Sequence, residues 1–331
     1  LLKSTSNSYL HNRRGLIYLN LNEYDSAIVD FTKAIELSPD FQSAYFNRGY
    51  AYRMLKQFDL AINDMNMAIK LDPKDENAYN IRGICYYNLE KFDLAIKDFN
   101  KTIKINPNYS NAYMNRGMAY YYINEYEKAL QDLTQAIKLD PEYIDAYYNR
   151  GTILNALEQY ILAINDFNKI IELNPNDIDG YVMRAITYRN SGDYNNAIKD
   201  FTKCIEMDST AAYIYYHRAI AYRFTKDYDN ALNDLNKAID LYPDYYLAYN
   251  MLGNIYFDQE QYDIALKYYQ KAIELNPDYV VAYYNVANIY YNQGNYSAAT
   301  SYFNKIVLLD PNGPYGKEAI KVLNNLKNMG Y

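Results

Sequence analysis

The sequence predicts an all-α protein, a solenoid of nine 34-residue helix–turn–helix repeats followed by a C-terminal capping helix. Three observations carry this. Pro39, Pro73, Pro107, Pro141, Pro175, Pro243, Pro277 and Pro311 fall on one 34-residue lattice whose single vacant point is Ser209. A hexapeptide recurs at the same interval, as AYFNRG (Ala44–Gly49), AYNIRG (Ala78–Gly83), AYMNRG (Ala112–Gly117) and AYYNRG (Ala146–Gly151). Each copy also holds two stretches of apolar residues at helical spacing, separated by a short turn. Self-similarity at such a period marks an array in which each repeat buries its apolar face against its neighbours.

Residues 1–7 read as a lead-in, and the repeats as 8–41, 42–75, 76–109, 110–143, 144–177, 178–211, 212–245, 246–279 and 280–313. The fifth shows the internal logic. A first helix carries Tyr147 and Gly151, LEQY (Leu157–Tyr160) makes the turn, and ILAINDFNKIIEL forms a second helix with Ala163 and Phe167. Pro175 then stops the chain, because proline cannot continue a helix and forces its predecessor to be extended. Asn or Asp before the proline suits the turn. The sixth repeat is the loosest, with Ala185, Cys204 and Ser209 at marker positions. Beyond Pro311, Ala319, Ile320, Val322, Leu323 and Leu326 form one apolar stripe with no second helix after it, so 314–331 reads as a cap. Only 1–7 precede the first repeat, whose outer face is therefore expected to be poorly covered.

The period, the Gly of the first helix, the Ala and aromatic of the second, and the closing Pro together resemble the tetratricopeptide repeat family over nearly the whole chain. Where that family usually has Trp near the start of the first helix, this chain has Tyr45, Tyr79, Tyr113 and Tyr249, and His11 in the first repeat. The resemblance implies a right-handed superhelix whose first helices line a concave groove.

Composition narrows the function classes. The apolar fraction is inflated by 44 tyrosines, and there is no tryptophan. A net charge of −7 argues against a nucleic-acid partner, whose phosphates require basic patches. No apolar run is long enough to span a membrane. Cys85 and Cys204 lie in different repeats and read as reduced core thiols. A cytoplasmic location is expected, and the initial Leu1 suggests a truncated or processed N-terminus. No catalytic residue, metal site or cofactor is expected. The two histidines, His11 and His217, are far apart, and no metal-ligand spacing, phosphate loop or nucleophile elbow is present.

Two sets of residues remain. With the lattice proline as position thirty-two, position seven is Arg14, Arg48, Arg82, Arg116, Arg150, Arg184 and Arg218, then Leu252 and Val286. Position twenty-three is Asp30, Asp64, Asp98, Asp132, Asp166, Asp200 and Asp234, then Tyr268 and Tyr302. Arg and Asp appear together and vanish together. Facing positions of an antiparallel hairpin have a near-constant sum, which places seven opposite twenty-three at the level where eight meets twenty-four. The expectation is a structural ion pair inside each of seven hairpins, against the alternative of an arginine ladder that grips a ligand.

The second set follows from the resemblance, which assigns positions two, five, six, nine, twelve and thirteen to the groove. Candidate partner-binding residues there are Asn47, Tyr50, Asn115, Tyr121, Tyr122, Tyr148, Asn149, Tyr216 and Asn285. An Asn amide both donates and accepts and so suits a peptide backbone, and tyrosine is enriched in binding surfaces. The lysines of a chaperone-type carboxylate clamp are missing around Asn250, Asn254 and Asn285. Arg189 and Arg223, both at position twelve, could meet an acidic partner locally. The expected function is a non-catalytic protein-interaction scaffold binding a peptide or helix of a partner. A structural subunit using its outer surface and ends, self-association through the N-terminal edge, and a recruiting domain of a larger enzyme such as a glycosyltransferase stay open.

Overall fold

Both halves of every repeat carry apolar residues three and four apart, the spacing that buries one stripe of a helix. In the computed structural model, which describes residues 2–330 and side chains from residue 7 onward, nineteen α-helices result. They fall into two compact units that divide after Leu173.

The first unit holds five hairpins: α1 (Leu2–Asn20) with α2 (Tyr24–Leu37), α3 (Gln42–Met54) with α4 (Phe58–Leu71), α5 (Glu76–Asn88) with α6 (Phe92–Ile105), α7 (Ser110–Tyr122) with α8 (Tyr126–Leu139), and α9 (Ile144–Ala156) with α10 (Tyr160–Leu173). Helix α1 begins at Leu2, so residues expected to form a lead-in are continuous with the first helix. Leu10 and Ile17 on α1 are exposed, whereas Ala44 and Ala51 at the same positions of the next hairpin are fully buried.

The second unit holds four hairpins and a final helix: α11 (Ile178–Asn190) with α12 (Tyr194–Met207), α13 (Ala212–Phe224) with α14 (Tyr228–Leu241), α15 (Tyr246–Asp258) with α16 (Tyr262–Leu275), α17 (Val280–Asn292) with α18 (Tyr296–Leu309), and α19 (Pro314–Asn328). At the vacant lattice point the turn survives without proline. Asp208 accepts hydrogen bonds from the Thr210 backbone N–H and hydroxyl at 2.8 and 2.6 Å, and the Tyr215 hydroxyl donates to the Ser209 carbonyl as Tyr147 does to that of Pro141.

Two devices shape each hairpin. At position eight, glycine lets the helices approach: a Cβ on Gly83 would lie 2.6 Å from Phe99, and one on Gly151 would lie 2.8 Å from Phe167. At position fifteen the backbone is left-handed in all nine hairpins, at Asn22, Lys56, Glu90, Asn124, Glu158, Gly192, Lys226, Glu260 and Gly294. One such residue after the first helix reverses the chain.

The core of each unit is segmented, with each cluster drawing on one hairpin and the next; Ala61, Met65 and Ala68 of α4 meet Ala78, Ile81 and Cys85 of α5. First helices of successive hairpins also touch directly, α1 with α3, α3 with α5, α5 with α7 and α7 with α9; in the second unit, α11 touches α13 and α13 touches α15. Among the described residues, second helices make no comparable contact with one another. Within each unit, the first helices thus form the tighter, inner layer. Helix α19 closes the last hairpin, burying Ala319 in the cluster of Ala299, Phe303 and Ile306, with Val322 and Leu323 packed against it.

Candidate functional site

The arginines of position seven each meet the aspartate of their own hairpin. Arg150 Nε donates to Asp166 Oδ2 at 2.9 Å and its Nη2 to Oδ1 at 2.6 Å. The same two-point fork joins Arg14 to Asp30, Arg48 to Asp64, Arg82 to Asp98, Arg116 to Asp132, Arg184 to Asp200 and Arg218 to Asp234. Planar guanidinium and carboxylate match in this geometry, which adds directionality to charge. In all but Arg14 the guanidinium also lies over a tyrosine three residues earlier, as Arg150 does over Tyr147 at 5.8 Å.

Five of these arginines do one thing more. The remaining Nη1 reaches back to position twenty-five of the preceding hairpin: Arg48 to Thr32 at 3.0 Å, Arg82 to Asn66 at 2.6 Å, Arg150 to Thr134 at 3.0 Å and Arg218 to Thr202 at 2.9 Å. Arg116 bonds Asn100 in the same way. One side chain therefore ties together its own first helix, its own second helix and its neighbour's second helix. Arg14 keeps the fork but has no earlier hairpin among the described residues, and its side chain is 60% exposed against 18% for Arg48. Asp30 also bonds His11 at 3.0 Å; Arg14, foremost, and His11 hold its carboxyl below the usual range. Where Arg and Asp are absent, aromatic contact replaces the fork: Tyr268 stacks on Tyr256, and Tyr302 lies beside Tyr283 and Tyr290.

The candidate binding residues lie on the first helices. In the first unit, Asn47 Nδ2 donates to Asn12 Oδ1 at 3.0 Å, and Asn115 Nδ2 to Asn80 Oδ1 at 3.3 Å. Asn149 lies 3.9 Å from the Met114 sulfur. One end of these amides is thus fixed by the preceding hairpin, and Ile81 interrupts the row. Tyr50 carries the Arg53 guanidinium over its ring at 4.7 Å. Tyr121 and Tyr122 pack edge to face with each other, and Tyr122, which is 54% exposed, stacks on Phe92. Tyr148 sets its edge against Phe167. In the second unit, Asn285 Nδ2 donates to Asn250 Oδ1 at 3.0 Å and lies 3.3 Å from Asn254 Oδ1. Tyr216 packs against His217 and Tyr245.

Profiles described as tetratricopeptide repeat match residues 8–41, 43–75, 76–109, 144–177 and 280–312, and others of the same description match 99–131, 167–199, 235–267 and 212–245. The chain belongs to the tetratricopeptide repeat family. A further profile, TPR repeat, matches 117–157 and 253–294. Among solved structures, the chain is similar to YrrB, described as a TPR protein with an unusual peptide-binding site, at 27% identity and a TM-score of 0.50 over 56% of this chain and 95% of that one. It shares the fold of a tetratricopeptide repeat protein from Parabacteroides merdae, at 21% identity and a TM-score of 0.56 over 74% of this chain and 97% of that one. No curated protein sequence matches it. As a tetratricopeptide repeat protein the chain has the architecture of a protein-interaction scaffold. No helix among the described residues is long and apolar enough to cross a membrane.

Sequence reasoning missed two features of these repeats. The Thr or Asn at position twenty-five recurs with the period, but nothing marked it as the arginine's second acceptor. The Arg223–Asp258 fork, at 2.6 and 2.9 Å, joins position twelve of one repeat to position thirteen of the next, and it occurs once.

Proposed function

We propose that this tetratricopeptide repeat protein is a non-catalytic scaffold whose inner layer of first helices receives a peptide or helix of a partner protein. The observation that supports this best is the state of the inner asparagines. Nδ2 of Asn47 and of Asn115 is anchored to the preceding hairpin. An anchored amide presents its carbonyl oxygen in a fixed direction, which suits an extended backbone whatever its side chains. The neighbouring tyrosines Tyr50, Tyr121, Tyr122 and Tyr148 supply contact area at low entropy cost. The similarity to YrrB, a peptide-binding repeat protein by its description, agrees with this reading.

The test is affinity capture from cell extract with the wild type and with the triple variant Asn115→Ala/Asn149→Ala/Tyr121→Ala, after matching their melting temperatures. Loss of a specific set of partners is expected. If the variant retains every partner, the inner face is not the binding surface.

A further inference from the structure

Three arginines occupy position twelve of a first helix: Arg53 on α3, Arg189 on α11 and Arg223 on α13. Arg223 shows what this position does when complete. Its Nε and Nη2 hold both oxygens of Asp258, thirty-five residues on, at 2.6 and 2.9 Å. The residue that stands in this slot for Arg189 is Phe224, which stacks on Tyr194 at 4.8 Å. Arg189 is half-buried all the same. Its Nη1 donates to His217 Nδ1 at 2.9 Å and its Nη2 to Asn190 Oδ1 at 3.2 Å. Both acceptors are uncharged in this setting, because burial foremost and the adjacent guanidinium hold the His217 imidazole neutral. Among the described residues no carboxylate forms an ion pair with Arg189, and burial disfavours its charged form. Arg53 in the first unit also lacks a carboxylate in its slot: the residue there is Asn88, turned to the Ile84 carbonyl, and the Arg53 Nε is buried without an acceptor. A cation drawn out of water against neutral neighbours calls for an anion.

We propose that Nε and Nη2 of Arg189, the latter shared with Asn190, are a receptor for a carboxylate of the partner polypeptide, in the role that Asp258 has for Arg223. His217 then acts as a positioning residue that fixes the guanidinium plane through Nη1, and Phe224 and Tyr216 flank the incoming chain. The proposal deepens the inner-face reading and rests on it, and it names the partner's chemistry: an Asp or Glu side chain or a terminal carboxylate.

The test uses the full chain labelled with 15N, following arginine Nε–H signals, with that of Arg189 assigned by its loss in Arg189→Lys. Sodium acetate is titrated against sodium chloride and sodium phosphate at matched ionic strength. Acetate is expected to shift the Arg189 signal saturably and several-fold more than chloride, and to leave Arg223 unmoved until Asp258→Asn opens its slot. Phe224→Asp, which installs an internal carboxylate, should abolish the acetate response of Arg189. Capped Ac-Gly-Glu-Gly-NH2 and Ac-Gly-Gly-Gly-OH then separate a side-chain source from a terminal one, and a response to either supports the proposal. An acetate effect no larger than that of chloride, or one that survives Phe224→Asp, overturns it. A saturable shift by phosphate exceeding that by acetate also overturns it, in favour of a phosphoryl ligand. Partner loss in the inner-face triple variant combined with no acetate response would leave the scaffold reading standing and remove this one alone.

Discussion

Arg150 has three partners, Asp166 by a two-point fork, Thr134 by one hydrogen bond and the Tyr147 ring. The Asp166 side chain is 4% exposed and that of Arg150 is 20% exposed, so removing one partner strands a charge in a nearly dry site. Arg150→Ala or Asp166→Ala is expected to cost about 3–5 kcal/mol, and the double variant far less than their sum. Chemical denaturation of the cycle checks this; additive losses would return the fork to the ligand-ladder reading. The pairing was legible because Arg and Asp appear and disappear together, whereas the Thr134 bond was not, since position twenty-five varies irregularly among Thr, Asn and Gln. A second residue sets a pH dependence. Burial, then Arg189, lowers the His217 imidazole from 6.5 to about 4. Between those values the unfolded chain holds a proton that the folded one does not, so stability falls as pH drops from 6.5 and the loss is complete below about 4. At about 1.4 kcal/mol per pH unit, the loss is roughly 3 kcal/mol. His217→Gln should flatten that part of the stability–pH curve.

At the scale of the hairpin, the turn is the place where residue type and backbone disagree. Glu158 adopts φ of 60° and Lys56 of 59°, a region that suits glycine far better. Glu158→Gly should raise stability by up to about 1 kcal/mol, the relief of the left-handed penalty less the greater freedom of the unfolded chain; a lower melting temperature would contradict this. Gly83→Ala should do the opposite, because its new Cβ would meet the Phe99 ring, at a cost of about 1–3 kcal/mol. The hairpins themselves were readable from the proline lattice and the alternation of apolar stripes. Their left-handed joints were not, because only Gly192 and Gly294 carry the residue that advertises such a backbone. The start of α1 at Leu2 was hidden for a related reason: LKSTSNS lacks an apolar stripe, and the polar run resembles a lead-in.

For the molecule as a whole, the closing helix α19 starts from a crowded corner. Asp310 accepts from the backbone N–H groups of Tyr315 and Gly316 at 3.1 and 3.2 Å, and a Cβ on Gly316 would collide with the Asp310 carbonyl oxygen. Truncation after Gly313 should uncover the apolar surface around Phe303 and Ile306, and Gly316→Ala should loosen the same helix. Both are expected to lower the melting temperature, and the truncation to promote association on sizing chromatography; an unchanged melting temperature and elution volume would refute the capping role. The cap was legible as one apolar stripe without a mate. The division after Leu173 was not, since Pro175 there looks like every other lattice proline. The arginine tie also has a direction. Arg48 finds Thr32, Arg82 finds Asn66 and Arg150 finds Thr134, each reaching toward the N-terminus. A ribosome delivers the chain in the opposite sense, so the acceptor is always made before the donor. Every hairpin of the first unit after α1–α2 thus emerges carrying a hook for an eye already in place, and the array can close behind the ribosome one repeat at a time.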